Sequence, residues 1–130
     1  MKKAVMTVLM LLTTFVFATS VMAAGADETR VVNLWQCKLK EDKTIDDVHA
    51  ANGKWVKYVN AQVAGGDIQS YVLQTLVGEA RSFLYADSYP NMAAWEAASA
   101  IQTDEMKAID KGLGEVAECS SNTLHKSKES

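Results

Sequence analysis

The spacing of apolar residues alternates between the two-residue period of a strand and the 3.6-residue period of a helix. Between residues 31 and 126 the order is strand, helix, strand, strand, helix, strand. Such an order predicts one sheet covered by one helical layer. The stretch is long enough for a single domain with a real core and too short for two.

The first half of the pattern contains one strand and one helix. The segment VVNLWQCKL is predicted to form the first strand, with Asn33, Trp35 and Cys37 on one face. Thr44, followed by Asp47 three residues later, is typical of a helix start. Apolar residues then recur at helical spacing as far as a Gly-Gly turn: Ile45, Val48, Trp55, Val59 and Val63.

The second half begins with two strands, IQSYVLQTLV and RSFLYADS, joined by a short hairpin. Neither strand has a cleanly polar face, so we expect a partner to cover the second face of the sheet. Ser88 and Pro90 predict the start of the second helix, and Thr103 predicts a fresh cap after a short break. Gly112 and Gly114 predict its end, and VAECSSNTLHK is the last predicted strand.

This order of elements is that of the ferredoxin-like βαββαβ fold, an α+β architecture. Its sheet is antiparallel, and its two helices lie on one face. In this topology the first and last strands are antiparallel neighbours. Cys37 and Cys119 would therefore lie on adjacent strands.

Residues 1–23 have the features of a bacterial secretory signal peptide, namely a basic start, a long uncharged run and small residues at the end. The uncharged run over residues 4–21 is also about long enough to span a bilayer, so an uncleaved anchor is the alternative. Cleavage would leave one domain over residues 24–124 and a polar tail over residues 125–130. We expect a periplasmic or secreted protein that is not bound to the membrane.

The charge of the mature chain excludes some partners. Cleavage would leave 11 of the 13 basic residues against 16 acidic residues, a net charge of −5. An acidic domain with no basic run has no electrostatic footprint for nucleic acid or anionic lipid. We therefore expect neither as a partner.

The two cysteines are best explained by export. An oxidising compartment permits a disulfide between Cys37 and Cys119, and two reduced buried thiols are the alternative. No C-x-x-C pair indicates a thioredoxin site. His49 and His125 lack the spacing of zinc ligands, so we expect no metal site.

The segment YADSYPNMAAWEAASAIQTDEMKAIDKGLGEV, together with the order of elements, resembles the dimeric α/β-barrel superfamily, and most of all its antibiotic-biosynthesis-monooxygenase-like members. The resemblance covers nearly all of the mature chain as a pattern and is specific from about Tyr85 to Val116. It implies a homodimer in which two sheets pack face to face. It also implies a small hydrophobic ligand between the sheet and the helices.

Haem-degrading members of that superfamily use an asparagine on the first strand, a tryptophan on the second helix and a histidine further along. Asn33 lies on the corresponding strand and Trp95 matches the tryptophan, but Asp110 falls where the histidine would be. A carboxylate is a poor axial ligand for haem compared with imidazole. We therefore expect no haem and no other cofactor.

Cofactor-free monooxygenases of the superfamily oxidise electron-rich aromatics in an apolar pocket. Nucleophile-elbow, H-E-x-x-H and phosphate-loop motifs are absent from the sequence. His49 is the weak candidate for a catalytic base, although its place on the helix predicts a boundary residue half covered by neighbours. The residues that could line a ligand pocket are also typical of core packing: Asn33, Trp35, Tyr71, Tyr85 and Trp95.

Two functions follow. The favoured one is an exported small ferredoxin-like domain that binds a small apolar ligand or a protein partner, without an evident catalytic constellation. The alternative is a cofactor-independent monooxygenase-like enzyme acting on a small aromatic or hydrophobic substrate. An unsatisfied polar group beside Tyr85 and Trp95 would favour the enzyme, and a filled core there would favour binding.

Overall fold

The computed structural model describes residues 29–130. The predicted signal peptide, residues 1–23, lies outside the described residues. Within residues 29–130, no helix is long and apolar enough to cross a membrane. Four strands and three helices follow one another in this order: β1 (Arg30–Leu39), α1 (Ile45–Gln62), β2 (Gln69–Gln74), β3 (Ser82–Tyr89), α2 (Met92–Ser99), α3 (Asp104–Val116) and β4 (Ala117–Ser127).

The four strands form one antiparallel sheet in the order β2-β3-β1-β4. The predicted ferredoxin-like α+β fold is confirmed, with the second helix divided into α2 and α3. The register places Trp35 of β1 opposite Tyr85 of β3, and Asn33 opposite Asp87. Because strand residues two apart share a face, all four side chains lie on the same side of the sheet.

The helix α1 begins at the predicted cap. The Thr44 hydroxyl accepts from the backbone N–H of Asp47 at 3.3 Å, and the Asp47 carboxylate accepts from the Thr44 N–H at 2.8 Å. This reciprocal pair satisfies two N–H groups that a helix start leaves without a partner. The helix buries the predicted face through Val48, Asn52 and Val59.

The turn after α1 depends on one asparagine. The Asn60 amide nitrogen donates to the Ile68 carbonyl at 2.7 Å, and its oxygen accepts from the Ile68 N–H at 2.8 Å. Gly66 lies against this amide with a φ of 56°, and a Cβ there would meet the Asn60 oxygen at 3.2 Å. Glycine is therefore required both by the backbone conformation and by the close approach.

The second helical region differs from the prediction at both ends. Ser88 does not cap α2, because it is a buried residue of β3; Asn91 caps it instead by accepting from the Ala94 N–H at 2.9 Å. The predicted break is confirmed, and Thr103 caps α3. Gly112 does not end α3, which continues to Val116, because tertiary packing overrides the low helix propensity of glycine.

Two strand limits also differ. β2 ends at Gln74, before the predicted Val77, and the side chains of Leu76 and Val77 in the following loop are 91% and 94% exposed. β4 runs to Ser127, three residues into the predicted polar tail of residues 125–130. It does so because Arg30 of β1 pairs with Ser127 and extends the ladder to that point.

The predicted disulfide is confirmed. Cys37 and Cys119 are bonded, and they lie directly opposite each other on β1 and β4, beside a register shift between Gln36 and Cys37. The bond spans 82 residues of chain, which corresponds to about 4 to 5 kcal/mol on the chain-entropy model. It therefore fastens the long edge strand β4 to the centre of the sheet.

The sheet face that points away from the helices, which we call the outer face, has an apolar patch made of Val32, Leu34, Tyr71, Leu73, Leu84 and Ala86. Polar side chains surround the patch, among them Gln36, Gln69 and Thr123. Tyr71 and Leu73 are 53% and 46% exposed. Such an apolar surface on a small domain is typical of an interaction site.

Candidate functional site

A cavity of about 470 Å³ lies between the sheet and the helices, and we call it the sheet–helix cavity. Its sheet side comes from β1, β3 and β4, and its helix side from α1, α2 and α3. Two tryptophans and two tyrosines contribute aromatic surface: Trp35, Trp55, Tyr85 and Tyr89. A mostly apolar lining with a few converging polar groups is the usual character of a small-molecule site.

The main polar group of this cavity is the carboxylate of Asp87, which is 6% exposed. The Ser70 hydroxyl donates to Asp87 Oδ1 at 2.5 Å, and Asn52 Nδ2 donates to Ser70 Oγ at 2.8 Å. The Trp35 indole lies near the same carboxylate and lowers its pKa. A chain of three side chains thus connects α1 through β2 to β3, with the carboxylate at its end.

Burial raises the pKa of Asp87 to about 6, while the hydrogen bonds from Ser70 and Trp35 act in the opposite direction. Desolvation disfavours the charged form of a carboxyl, and neutral donors offset only part of that penalty. The carboxyl group therefore changes its charge state in a range close to neutral pH.

The tyrosines beside Asp87 respond to the same environment. Burial, followed by the charge of Asp87, raises the pKa of Tyr85 to about 12, and the same two causes raise the pKa of Tyr89. The Tyr85 hydroxyl is buried and has no hydrogen-bond partner among the described residues. The cavity wall therefore opposes the formation of a phenolate.

Asn33 completes the polar part of the wall. In the amide orientation that satisfies both of its atoms, its oxygen accepts from Trp35 Nε1 at 3.2 Å and its nitrogen donates to the Thr123 carbonyl at 3.1 Å. The indole N–H of Trp35 thus donates to Asn33 and lies near Asp87. The bond to Asn33 orients the Trp35 ring.

The described lining of the cavity carries negative charge without a basic residue. Asp110 of α3 also lines it, and partial burial raises the pKa of that carboxyl. No lysine, arginine or histidine from residues 29–130 lines the cavity. Within the same residues, no cluster of histidine, cysteine, aspartate and glutamate could hold a metal ion.

The structure brings together three of the five predicted pocket residues, namely Asn33, Trp35 and Tyr85. Tyr71 lies on the outer face, because its neighbour Ser70 is the β2 residue that points to the cavity. Trp95 packs against a core cluster beside the cavity and does not line it.

His49 was predicted to be a boundary residue half covered by its neighbours, and the structure places it among the exposed residues. It directly follows the fully buried Val48, and a step of one residue turns a side chain about 100° around the helix. The structure therefore does not bring His49 into the sheet–helix cavity.

The sequence reasoning missed Asp87, Tyr89, Asn52 and Ser70. One signal for Asp87 was present: Tyr85, Asp87 and Tyr89 are spaced by two, so a strand places all three on one face. A carboxylate between two aromatic residues on a core-facing strand indicates a buried acid. Ser70 and Asn52 carried no comparable signal, because their partners come from other elements.

Comparison with known proteins gives the fold. No protein-family model and no curated protein matches the sequence. Among solved structures, SnoaB from Streptomyces nogalater, a cofactor-independent oxygenase, superimposes with a TM-score of 0.57 at 10% identity, over 78% of this chain and 95% of that chain. A conserved protein from Methanosarcina mazei gives 0.54 at 11%, over 80% and 96%.

A third match is a protein from Caulobacter crescentus, assigned provisionally by its name to the antibiotic biosynthesis monooxygenases. Its TM-score is 0.54 at 13% identity, over 80% of this chain and 92% of that chain. The fold is that of antibiotic-biosynthesis-monooxygenase-like ferredoxin domains. The resemblance noted in the sequence is confirmed at the level of fold, and identities this low carry no function with them.

The raised pKa of Asp87 makes a prediction for stability. Between about pH 4 and pH 6 the folded state binds a proton that the unfolded state has released, so this group lowers the free energy of unfolding as the pH rises. Asp87→Asn removes the effect. We expect wild type to lose up to about 3 kcal/mol relative to the variant between pH 4 and pH 7.

Guanidinium unfolding of both proteins at pH 4, 5.5 and 7 measures this difference. Asp47 and Glu79 have lowered pKa values and oppose the trend at acid pH, but they are common to both proteins and cancel. Parallel stability curves for wild type and variant would show that Asp87 titrates normally.

Proposed function

We propose that this chain is an exported, homodimeric domain that binds a small, largely apolar ligand in the sheet–helix cavity. The observation that carries the proposal is a cavity of about 470 Å³ that joins four aromatic side chains to one buried carboxylate. A space of this size falls within the range of small-molecule sites. A domain without a ligand would be expected to fill such a space with side chains.

Export is supported by two independent features. The first is the predicted signal peptide over residues 1–23. The second is the disulfide between Cys37 and Cys119, because such bonds persist mainly in oxidising compartments. A ligand for this domain would then be a compound present in the periplasm or outside the cell.

The ligand site predicts a specific effect of filling the cavity. Leu113→Trp adds volume at a partly buried position of its wall. We expect N-phenyl-1-naphthylamine, a neutral apolar fluorophore, to bind wild type saturably at one site per chain. The variant should bind it at least tenfold more weakly, as measured by fluorescence titration.

Leu76→Trp is the matched control, because Leu76 is 91% exposed in the β2–β3 loop and lies outside the cavity. It introduces the same side chain and should leave probe binding unchanged. Equal loss in both variants, or no saturable binding to wild type, would contradict the ligand site.

The outer face supports the homodimer. Tyr71 and Leu73 leave about half of their surface in water in the single chain, and a second copy could cover both with its own outer face. Two sheets that pack face to face bury their inner side chains as a sandwich does. A second copy on this face would be the partner that the apolar residues of both strand faces predict.

Leu73→Lys tests the dimer. A lysine there would place a charge in the contact between the two sheets, so we expect the variant to be monomeric at micromolar concentration while wild type is dimeric, as measured by analytical ultracentrifugation. Leu76→Lys makes the same change in the exposed loop and should remain dimeric. A monomeric wild type would refute the dimer at once.

A cofactor-independent monooxygenase is the second candidate. Its specific support is the buried Tyr85 hydroxyl without a described partner at the cavity, which a polar substrate atom could satisfy. In such a reaction an activated methylene becomes a carbonyl with O₂ as oxidant, and the second oxygen atom leaves as water. The raised pKa values of the two tyrosines weigh against any step that needs a phenolate.

An oxygen electrode distinguishes the two candidates. With anthrone as substrate, an enzyme would consume O₂ faster than buffer alone, and Tyr85→Phe would reduce that rate. We expect no consumption above the uncatalysed rate, because nothing described in the cavity stabilises the anion that must react with O₂. A protein-dependent rate that Tyr85→Phe reduces would establish the enzyme.

A further inference from the structure

Among the described residues, the buried carboxylate of Asp87 has no cationic partner. Buried carboxylates in proteins are normally paired with a cation or a metal, because neutral hydrogen bonds recover only part of the lost hydration. Here the donor is the Ser70 hydroxyl, the Trp35 indole lies nearby, and both groups are neutral. The negative charge of the carboxylate is therefore only partly compensated, and it attracts a cation to the cavity that Asp87 lines.

The other groups that line the cavity also favour a positively charged ligand. Asp110 adds a second carboxyl, and none of the described lining residues is basic. The rings of Trp35, Trp55, Tyr85 and Tyr89 share the cavity with the carboxylates. Aromatic faces attract cations through the quadrupole of the ring, most strongly where water is excluded.

An acidic ligand is disfavoured by the same electrostatics. Burial and the charge of Asp87 hold Tyr85 and Tyr89 in their neutral forms, and a phenol or carboxylic acid bound beside them would experience that environment too. A neutral alcohol could hydrogen-bond to Asp87 but would leave the charge without a partner. An ammonium group satisfies both the charge and the hydrogen-bonding capacity.

We propose that the sheet–helix cavity recognises an organic cation, a molecule with an aromatic or other apolar body and a protonated amine that pairs with the Asp87 carboxylate. This inference rests on the proposed ligand-binding function and specifies the chemistry of its ligand. Ser70 and Asn52 act as positioning residues, because they hold the carboxylate through hydrogen bonds of 2.5 Å and 2.8 Å in succession. The Trp35 indole of β1 lies near the same carboxylate.

The competing explanation is that Asp87 is purely structural and only ties β3 to β2 and α1. Both explanations predict that removal of Ser70 or Asn52 perturbs the fold. They differ in ligand selectivity, because a structural carboxylate gives no preference for an amine over an alcohol of the same shape. A matched series of ligands therefore separates them.

The test uses 2-(1-naphthyl)ethylamine, 2-(1-naphthyl)ethanol and 1-naphthylacetic acid, titrated into the mature disulfide-bonded protein by calorimetry at pH 7.5. We expect the amine to bind at least tenfold tighter than the alcohol, and the acid to bind more weakly than both. Asp87→Asn should reduce amine binding to the level of the alcohol and change alcohol binding by less than about threefold. Asp110→Asn should cause a smaller loss, because Asp110 is much more exposed to water than Asp87.

The pH profile gives a second measurement that requires no variant. The alkylammonium stays charged across this range, since such groups titrate near pH 10. Besides Asp87, the titratable groups that line the cavity are Tyr85 and Tyr89 of β3 and Asp110 of α3. The side chains that β1 and α1 contribute there are neutral. Ser70 of β2, which lies beside the carboxylate, is neutral too. Both tyrosines stay neutral below pH 8.

Protonation of Asp87 should therefore weaken amine binding by about tenfold from pH 7.5 to pH 5, while alcohol binding stays constant. Equal affinities for amine and alcohol, or a pH-independent amine affinity, would overturn the cation proposal and leave the ligand site standing. Failure of all three compounds and of the neutral fluorophore would instead reject the ligand site itself.

Discussion

β1 pairs with β3 on one side and with β4 on the other, and the register of these two ladders decides which side chains meet. One face of β1 carries Asn33 and Trp35 into the cavity, opposite Asp87 and Tyr85. Its other face contributes apolar residues to the outer face. A shift of one residue would exchange the two surfaces, so the ligand site and the proposed dimer contact depend on the same pairing.

Burying the carboxylate of Asp87 lowers the stability of the folded state. A neutral residue at a purely structural position would avoid this cost. Raising its pKa to about 6 costs the folded state up to about 3 kcal/mol at neutral pH, a large share of the stability of a small domain. The capping box at Thr44 and the disulfide at Cys37 contribute in the opposite direction. Destabilising polar groups that the rest of the fold offsets are characteristic of functional sites.

Local signals in the sequence were sufficient for most of the fold. The cap at Thr44, the break before Thr103 and the neighbouring placement of Cys37 and Cys119 all follow from short-range patterns or from topology. The failures came where distant contacts overrule such patterns. Ser88 looks like a helix cap in the sequence, but its backbone belongs to the ladder that β3 makes with β1.

The site was less predictable for the same reason. Asn33, Trp35 and Tyr85 could be selected by residue type and strand alternation, whereas the chain from Asn52 through Ser70 to Asp87 joins three elements that only the folded chain brings together. His49 attracted notice as an imidazole and proved to be a surface residue. A residue type that suits catalysis gives no position relative to a cavity.

The fold and the electrostatics of the cavity lead to different expectations about what the cavity binds. The backbone is that of a class that includes an oxygenase working without a cofactor. Catalysis of that kind needs surroundings that stabilise a substrate anion as it reacts with O₂. The described lining of this cavity has two carboxyls and no basic residue, and its two tyrosines are held in their neutral form. The potential in the cavity is therefore negative and disfavours such an anion. Because a cavity selects its ligand by local charge and shape, the lining of this one argues for a cation as its occupant, whatever reaction other proteins carry out on the same backbone.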